Sequence, residues 1–129
     1  MSADRIPLLL VEDNPADLLL VAELLEDTAP GRFRVEPARR LSEGLDALRS
    51  GRFEAVILDL SLPDAEGAAA IGAVREVAPS TPVIIMSGML DDDVRRAAAE
   101  RGAAASFVKG EDSIGPLVAA IDELICERG

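Results

Sequence analysis

The sequence predicts a doubly wound α/β domain built on a parallel sheet. Two observations carry that expectation. Five short apolar runs fall at 6–11, 33–36, 55–58, 83–86 and 106–108, and four of them are nearly continuous rather than alternating. Continuous runs belong to strands covered on both faces, as in parallel sheets. A helix signal follows each run, and a strand–helix unit repeated five times folds into an open sheet with helices on both faces.

After the first run, Asn14-Pro15 supplies an N-cap and a first helical position for a helix to about Asp27. The run at 33–36 is the weakest and is expected at a sheet edge. Ser42 is expected to cap the second helix, which stops near Gly51. The third helix should run from about Glu66 to Val77, ahead of Pro79, and the fourth from about Asp91 to Arg101, ended by Gly102. Ser113 is expected to cap the fifth, with Pro116 tolerated in its first turn. The alanine stretches at 68–70 and 97–99 suit close helix packing.

The 129 residues are the size of one domain, and no linker or low-complexity tract divides them. The expectation is a single domain over 1–129 without an output domain. Apolar residues make up 49% of the chain but aromatic ones only 2%, so the core must be aliphatic. Acids number 24 against 13 bases, a net charge of −11, which opposes binding to nucleic acid or an anionic membrane surface. The apolar runs are too short to span a bilayer, residues 1–5 lack a signal-peptide pattern, and Cys126 is the only cysteine. A cytoplasmic protein is the simplest expectation. With no histidine, the chain has no imidazole base, imidazole ligand or phosphohistidine, and it carries no P-loop. Any phosphate must be delivered by another protein or a small donor.

Ligands of doubly wound sheets bind outside the carboxyl ends of the strands. The first strand ends in Glu12-Asp13, the third in Asp59, the fourth in Ser87-Gly88 and the fifth in Lys109-Gly110, while the second ends at Pro37 with nothing reactive. Three carboxylates gathered at one edge would repel one another unless a divalent cation joined them. Mg2+, with Mn2+ as its substitute, takes one or two carboxylates plus water and phosphate oxygens. Asp59 would be the nucleophile that forms an acyl phosphate, and Lys109 and Ser87 would meet the phosphoryl oxygens. Singly, each residue has an ordinary explanation. Asp13 or Asn14 suits a helix cap, Asp59 a turn before Leu62-Pro63-Asp64, Ser87 a structural hydroxyl and Lys109 a solvated charge. Their joint placement at successive strand ends outweighs those readings.

These residues carry a resemblance. Val11-Glu12-Asp13-Asn14-Pro15, then Asp59 four residues before Pro63, then Ser87-Gly88, then Lys109 resemble a two-component response-regulator receiver domain of the stand-alone, chemotaxis-regulator-like kind, over essentially the whole chain. The resemblance implies a flavodoxin-like (βα)5 fold with strand order 2-1-3-4-5. It implies that Asp13 touches Mg2+ directly and Glu12 through water, that Asp59 accepts the phosphoryl group and also ligates the metal, and that the Ser61 carbonyl completes the protein ligands. Ser87 falls at the family's Ser/Thr switch position, Lys109 pairs with the phosphoryl group, and Pro63 and Gly67 match the loop after the acceptor. The donor would be a sensor histidine kinase or a histidine phosphotransfer protein, and an unidentified protein would receive the signal. Two positions depart from the family. The aromatic residue expected three positions before the lysine is Ser106, and the proline expected after it is Gly110.

The function expected is therefore a phosphorylatable binding module, not an enzyme. The alternative within the family is a phosphate shuttle or sink without conformational output. A third expectation, a degenerate receiver used only for contact, is opposed by the full set of acids. An aspartyl-phosphate hydrolase is opposed by Ser61, which stands where that class carries a second aspartate. On the first helix, Leu18, Val21, Leu24 and Leu25 share one side, while Leu19 falls among Glu23, Glu26 and Asp27 and Leu20 near the border. Leu19 is thereby marked as part of a surface that could meet a kinase.

Overall fold

A computed structural model describes residues 5–62, 64 and 67–128. The chain alternates β1 (Ile6–Val11), α1 (Pro15–Thr28), β2 (Phe33–Ala38), α2 (Leu41–Ser50), β3 (Ala55–Leu58), α3 (Ala69–Val77), β4 (Val83–Ser87), α4 (Asp92–Glu100), β5 (Ala105–Val108) and α5 (Ile114–Arg128), with a 3-10 turn over Glu111–Ser113 before α5. All neighbouring strands pair in parallel, in the order β2-β1-β3-β4-β5. This is the flavodoxin-like arrangement. Its order reverses between β1 and β3, which opens a crevice at their carboxyl ends.

The strand pleat divides the core into two layers. Leu9, Val11, Val56, Leu58, Val83 and Ile85 pack on the side of α2, α3 and α4. Leu8, Leu10, Ala55, Ile57, Ile84 and Met86 pack on the side of α1 and α5. The apolar runs are continuous because β3 and β4 are buried along their whole length on both faces. Each such side chain contributes roughly 1.5–3 kcal/mol through burial. Ala70 of α3 and Ala98 of α4 are fully buried against the sheet, in keeping with the close packing that the alanine stretches suggest.

Several boundaries differ from the sequence reading. β2 extends through Pro37 to Ala38, which an edge strand permits because a proline there lacks only a donor facing outward. β5 is not covered on both faces: it forms the other edge and is only half-buried. Ser42 does not cap α2. That helix begins at Leu41, and Arg40 at its N-cap makes no side-chain capping bond. The carboxylate of Asp64, in the loop after β3, accepts instead from the amides of Leu41 at 2.8 Å and Ser42 at 3.0 Å. α3 begins at Ala69; its expected start, Glu66, and the motif residue Pro63 lie outside the described residues. Asp91 is the N-cap of α4, accepting from the Val94 amide at 2.8 Å, and Gly102 follows the helix at a φ of 101°. Ser113 closes the 3-10 turn that precedes α5. Asn14 does cap α1, its side chain accepting from the amides of Ala16 and Asp17. Among the described residues no helix is long and apolar enough to cross a membrane.

Candidate functional site

The sheet carries the polar residues to one edge because its hydrogen bonding continues past the strand ends. The Glu12 amide donates to the Ala38 carbonyl at 2.9 Å, the Asp59 amide to the Val11 carbonyl at 3.0 Å, and the Lys109 amide to the Ser87 carbonyl at 2.8 Å. The backbones of Glu12, Asp59 and Lys109 are thus fixed by their neighbouring strands. Glu12 and Asp59 are then only 2% and 3% exposed, whereas Asp13 is half-buried. One carboxylate oxygen from each of Glu12, Asp13 and Asp59 lies within 4.8 Å of the other two.

Lys109 reaches into this group from β5. Its ammonium pairs with Glu12, with Asp59 at 3.3 Å and with Asp17 at 3.1 Å. The second Glu12 oxygen accepts from the Asn14 amide at 3.1 Å, and an Asp59 oxygen accepts from the Ser61 amide at 3.2 Å. Burial dominates the Glu12 carboxyl and pushes it up from 4.5 to about 7, against the opposing pull of Lys109 and the Asn14 amide. Burial alone would lower the Lys109 ammonium; its bonds to Glu12 and Asp17 and the charge of Asp59 outweigh that and raise it above its ordinary value. Among the described residues the Lys109 ammonium thus pairs with three acids, Glu12, Asp17 and Asp59, and Asp13 lies beside two of them. That excess of negative charge in a partly dry crevice, whose acids among the described residues offer oxygen ligands, suits a hard divalent cation.

Ser87 is buried at the end of β4. The pleat turns it away from Lys109, toward the layer that holds Ile85. Ser106 lies opposite Ile85 in the register with β4, while Phe107 packs into the layer of α1 and α5. Arg95 of α4 donates to the Ser106 carbonyl at 3.1 Å, which ties α4 to the edge strand at this position. Gly110 adopts a φ of 151°, which proline cannot reach, so the backbone after the lysine follows a course closed to the family's usual residue.

Four contributors escaped the sequence reading. Asp17 stands in the first turn of α1, just past the acidic pair that ends β1, and that position could have indicated it. Asp64 acts across more than twenty residues and Arg95 across eleven, and neither left a local signal. Arg39, after β2, also joins the edge by donating to the Asp13 carbonyl at 3.3 Å.

A parallel α/β sheet with this cluster at its switch point has a clear family. The model of the Response regulator receiver domain matches residues 8–122, and the chain belongs to that family, a signalling module of two-component systems. It is 31% identical over 123 residues to the transcriptional regulatory protein PrrA of Mycobacterium tuberculosis, covering 95% of this chain and 52% of that protein. It is 30% identical over 119 residues to a protein-glutamate methylesterase/protein-glutamine glutaminase of Natronomonas pharaonis, covering 89% of this chain and 33% of that one. The chain thus spans a third to about half the length of these curated relatives. Among solved structures, a CheY-like receiver domain from Methanospirillum hungatei superposes with a TM-score of 0.81 at 24% identity, covering 96% of this chain and 99% of that one. The receiver domain of an HD domain-containing protein from Pseudomonas fluorescens gives 0.82 at 23% identity, covering 97% and 98%.

Proposed function

We propose that Asp59 accepts a phosphoryl group from a partner histidine kinase or histidine phosphotransfer protein, and that the domain then signals in the cytoplasm through protein contacts. The observation that carries this reading is the Asp59 carboxylate itself. It is 3% exposed at the end of the central strand, between two other acids and an ammonium. A buried acid is costly unless it is paired, and acids held among such partners cluster at functional sites.

A carboxylate oxygen of Asp59 attacks the phosphorus. The P–N bond to the donor imidazole breaks, its electron pair stays on the ring nitrogen, and an acyl phosphate remains on Asp59. Lys109 and the Ser87 hydroxyl donate to the phosphoryl oxygens. Asp13, Asp59 and the Ser61 carbonyl would hold Mg2+, or Mn2+ in its place, with Glu12 acting through water. The bound cation would offset the charge gathered at the site. Attack of water on the phosphorus later breaks the P–O bond to Asp59, releases inorganic phosphate and returns the free carboxylate. The net charge of −11 favours a protein partner over nucleic acid or an anionic membrane. A second reading, a shuttle or sink for phosphate without conformational output, is favoured by the small side chain at Ser106.

Incubation with a small acyl-phosphate donor and Mg2+ should add one phosphoryl group by intact mass, and Asp59→Asn should abolish the addition. Equal labelling of the substituted chain refutes the assignment.

A further inference from the structure

An ammonium has three N–H donors, and Lys109 directs one each toward Glu12, Asp17 and Asp59. Two of these acceptors belong to the three-acid cluster. Asp17 does not. It stands in the first turn of α1 with its side chain 39% exposed, and the capping of that turn is already met by Asn14. We propose that Asp17 is a positioning residue that keeps the Lys109 ammonium at the acceptor when Glu12 and Asp59 are engaged by a cation. This inference rests on the reading of the site given above.

The argument follows from which acceptors Lys109 can keep. Glu12 and Asp59 cannot fully serve both an ammonium and a dication, and two positive groups placed side by side repel. Glu12 and Asp59 then loosen their hold on Lys109, whose four-carbon arm is free to swing into solvent. Asp17 lies outside the cluster and retains its bond. Lys109 so held has two donors left for a phosphoryl oxygen, and the order it needs is present before the phosphoryl group arrives. The same contact gives the ammonium a partner to keep when the cation takes Glu12 and Asp59, which eases entry of the cation.

The test uses the full chain with Asp17→Asn, Asp17→Glu, Lys109→Ala and the Asp17→Asn/Lys109→Ala pair. The probes are Mg2+ alone, and beryllofluoride in saturating Mg2+ as a non-covalent stand-in for the phosphoryl group, both read by calorimetry. Asp17→Asn should weaken beryllofluoride binding about three- to tenfold, the size of one charge-assisted contact. Asp17→Glu should restore most of it. Asp17→Asn should also weaken Mg2+ binding in the parent but much less in the Lys109→Ala background, because the effect passes through the lysine. A purely structural acid in the first turn of α1 would lower the thermal midpoint and leave both affinities alone. Unchanged or tighter beryllofluoride binding by Asp17→Asn overturns the inference, as does an equal loss of Mg2+ affinity with and without Lys109. A parent that binds no beryllofluoride, or binds it equally after Asp59→Asn, overturns the reading of the site and this inference with it.

Discussion

The carboxyl edge of the sheet has two unequal halves. On one, β1 and β3 end in Glu12 and Asp59, both almost fully buried, each tied by its own amide to the neighbouring strand. On the other, β5 is half-buried, α4 buries only Ala98, and Met89 is 83% and Val108 38% exposed. Phosphoryl chemistry needs groups held still, and the buried half provides that. A partner must be able to detect a change, and segments that respond to ligands come from the less stable parts of a fold. Lys109 spans the two halves: its backbone follows directly on the half-buried edge strand and its ammonium joins the buried cluster.

The largest test of this contrast is mechanical. Ile57 of β3 is fully buried, so Ile57→Ala should cost about 2–5 kcal/mol in urea unfolding. Val108→Ala on the edge strand should cost under about 1 kcal/mol, near the range of surface substitutions. Comparable losses would mean that the halves are equally rigid and would remove the basis for assigning output to one of them.

The rigid half was also the more legible in sequence. Continuous apolar runs announce strands buried on both faces, and β3 and β4 are such strands. Asn14-Pro15 is a local signal and starts α1 as read. What could not be read is held together across the fold. The N-terminus of α2 is capped by Asp64, more than twenty residues away, so the nearby Ser42 was the wrong choice. β5 gave an apolar run like the others, but an apolar run does not tell an edge strand from a central one. The strand-end rule led to the acids of the site and to Lys109, but not to Asp17, because that rule examines strand ends and Asp17 lies on a helix.

The next test concerns pH. Glu12 in the unfolded chain ionises near 4.5, and in the folded protein burial raises it to about 7. Between those values the native state holds a proton that the unfolded chain has released, so stability falls as pH rises through that window, and the cost is complete above it. Lys109 is charged throughout this range and does not alter the sign. In metal-free protein the thermal midpoint should therefore decline from about pH 4.5 to about 7 relative to Glu12→Gln. Mg2+, which requires the ionised acid, should raise the midpoint more above pH 7 than below it. A parent and Glu12→Gln variant with parallel pH profiles would show that the buried half is not strained by its charge.

A smaller effect is expected where the rigid half meets its donor. Leu19 of α1 is 57% exposed and Leu20 43%, beside the acceptor edge, while Val21 and Leu25 are buried under the same helix. A single exposed leucine is ordinary, but two adjoining on the helix that carries Asp17 suit an apolar docking surface. Leu19→Glu should slow phosphoryl transfer from a cognate kinase while labelling by a small acyl-phosphate donor proceeds as before. Equal kinase rates would move the docking surface elsewhere, most simply to the exposed half.

The smallest effect lies in that half, and it decides whether the domain has a conformational output. Ser106 is too small to couple Ser87 to the outer face by filling or vacating a pocket, and its carbonyl is held by Arg95 of α4. An aromatic swing therefore cannot be the two-state element here. What remains beside Ser87 is the loop that begins with Gly88 and the exposed Met89 and leads to the acids Asp91, Asp92 and Asp93 at the start of α4. Negative charge added at Asp59 would draw the Ser87 hydroxyl and repel those acids, and a glycine without neighbours at its Cβ position gives the loop room to follow. Amide hydrogen exchange with and without beryllofluoride should therefore change over 87–93 and the first turn of α4, with smaller changes in β5. A change centred on 106–108 would show that the edge strand switches without an aromatic, with Arg95 as the group to substitute next. Exchange unchanged across both segments would leave the domain as a carrier of phosphate, its two halves differing in packing but not in what they report.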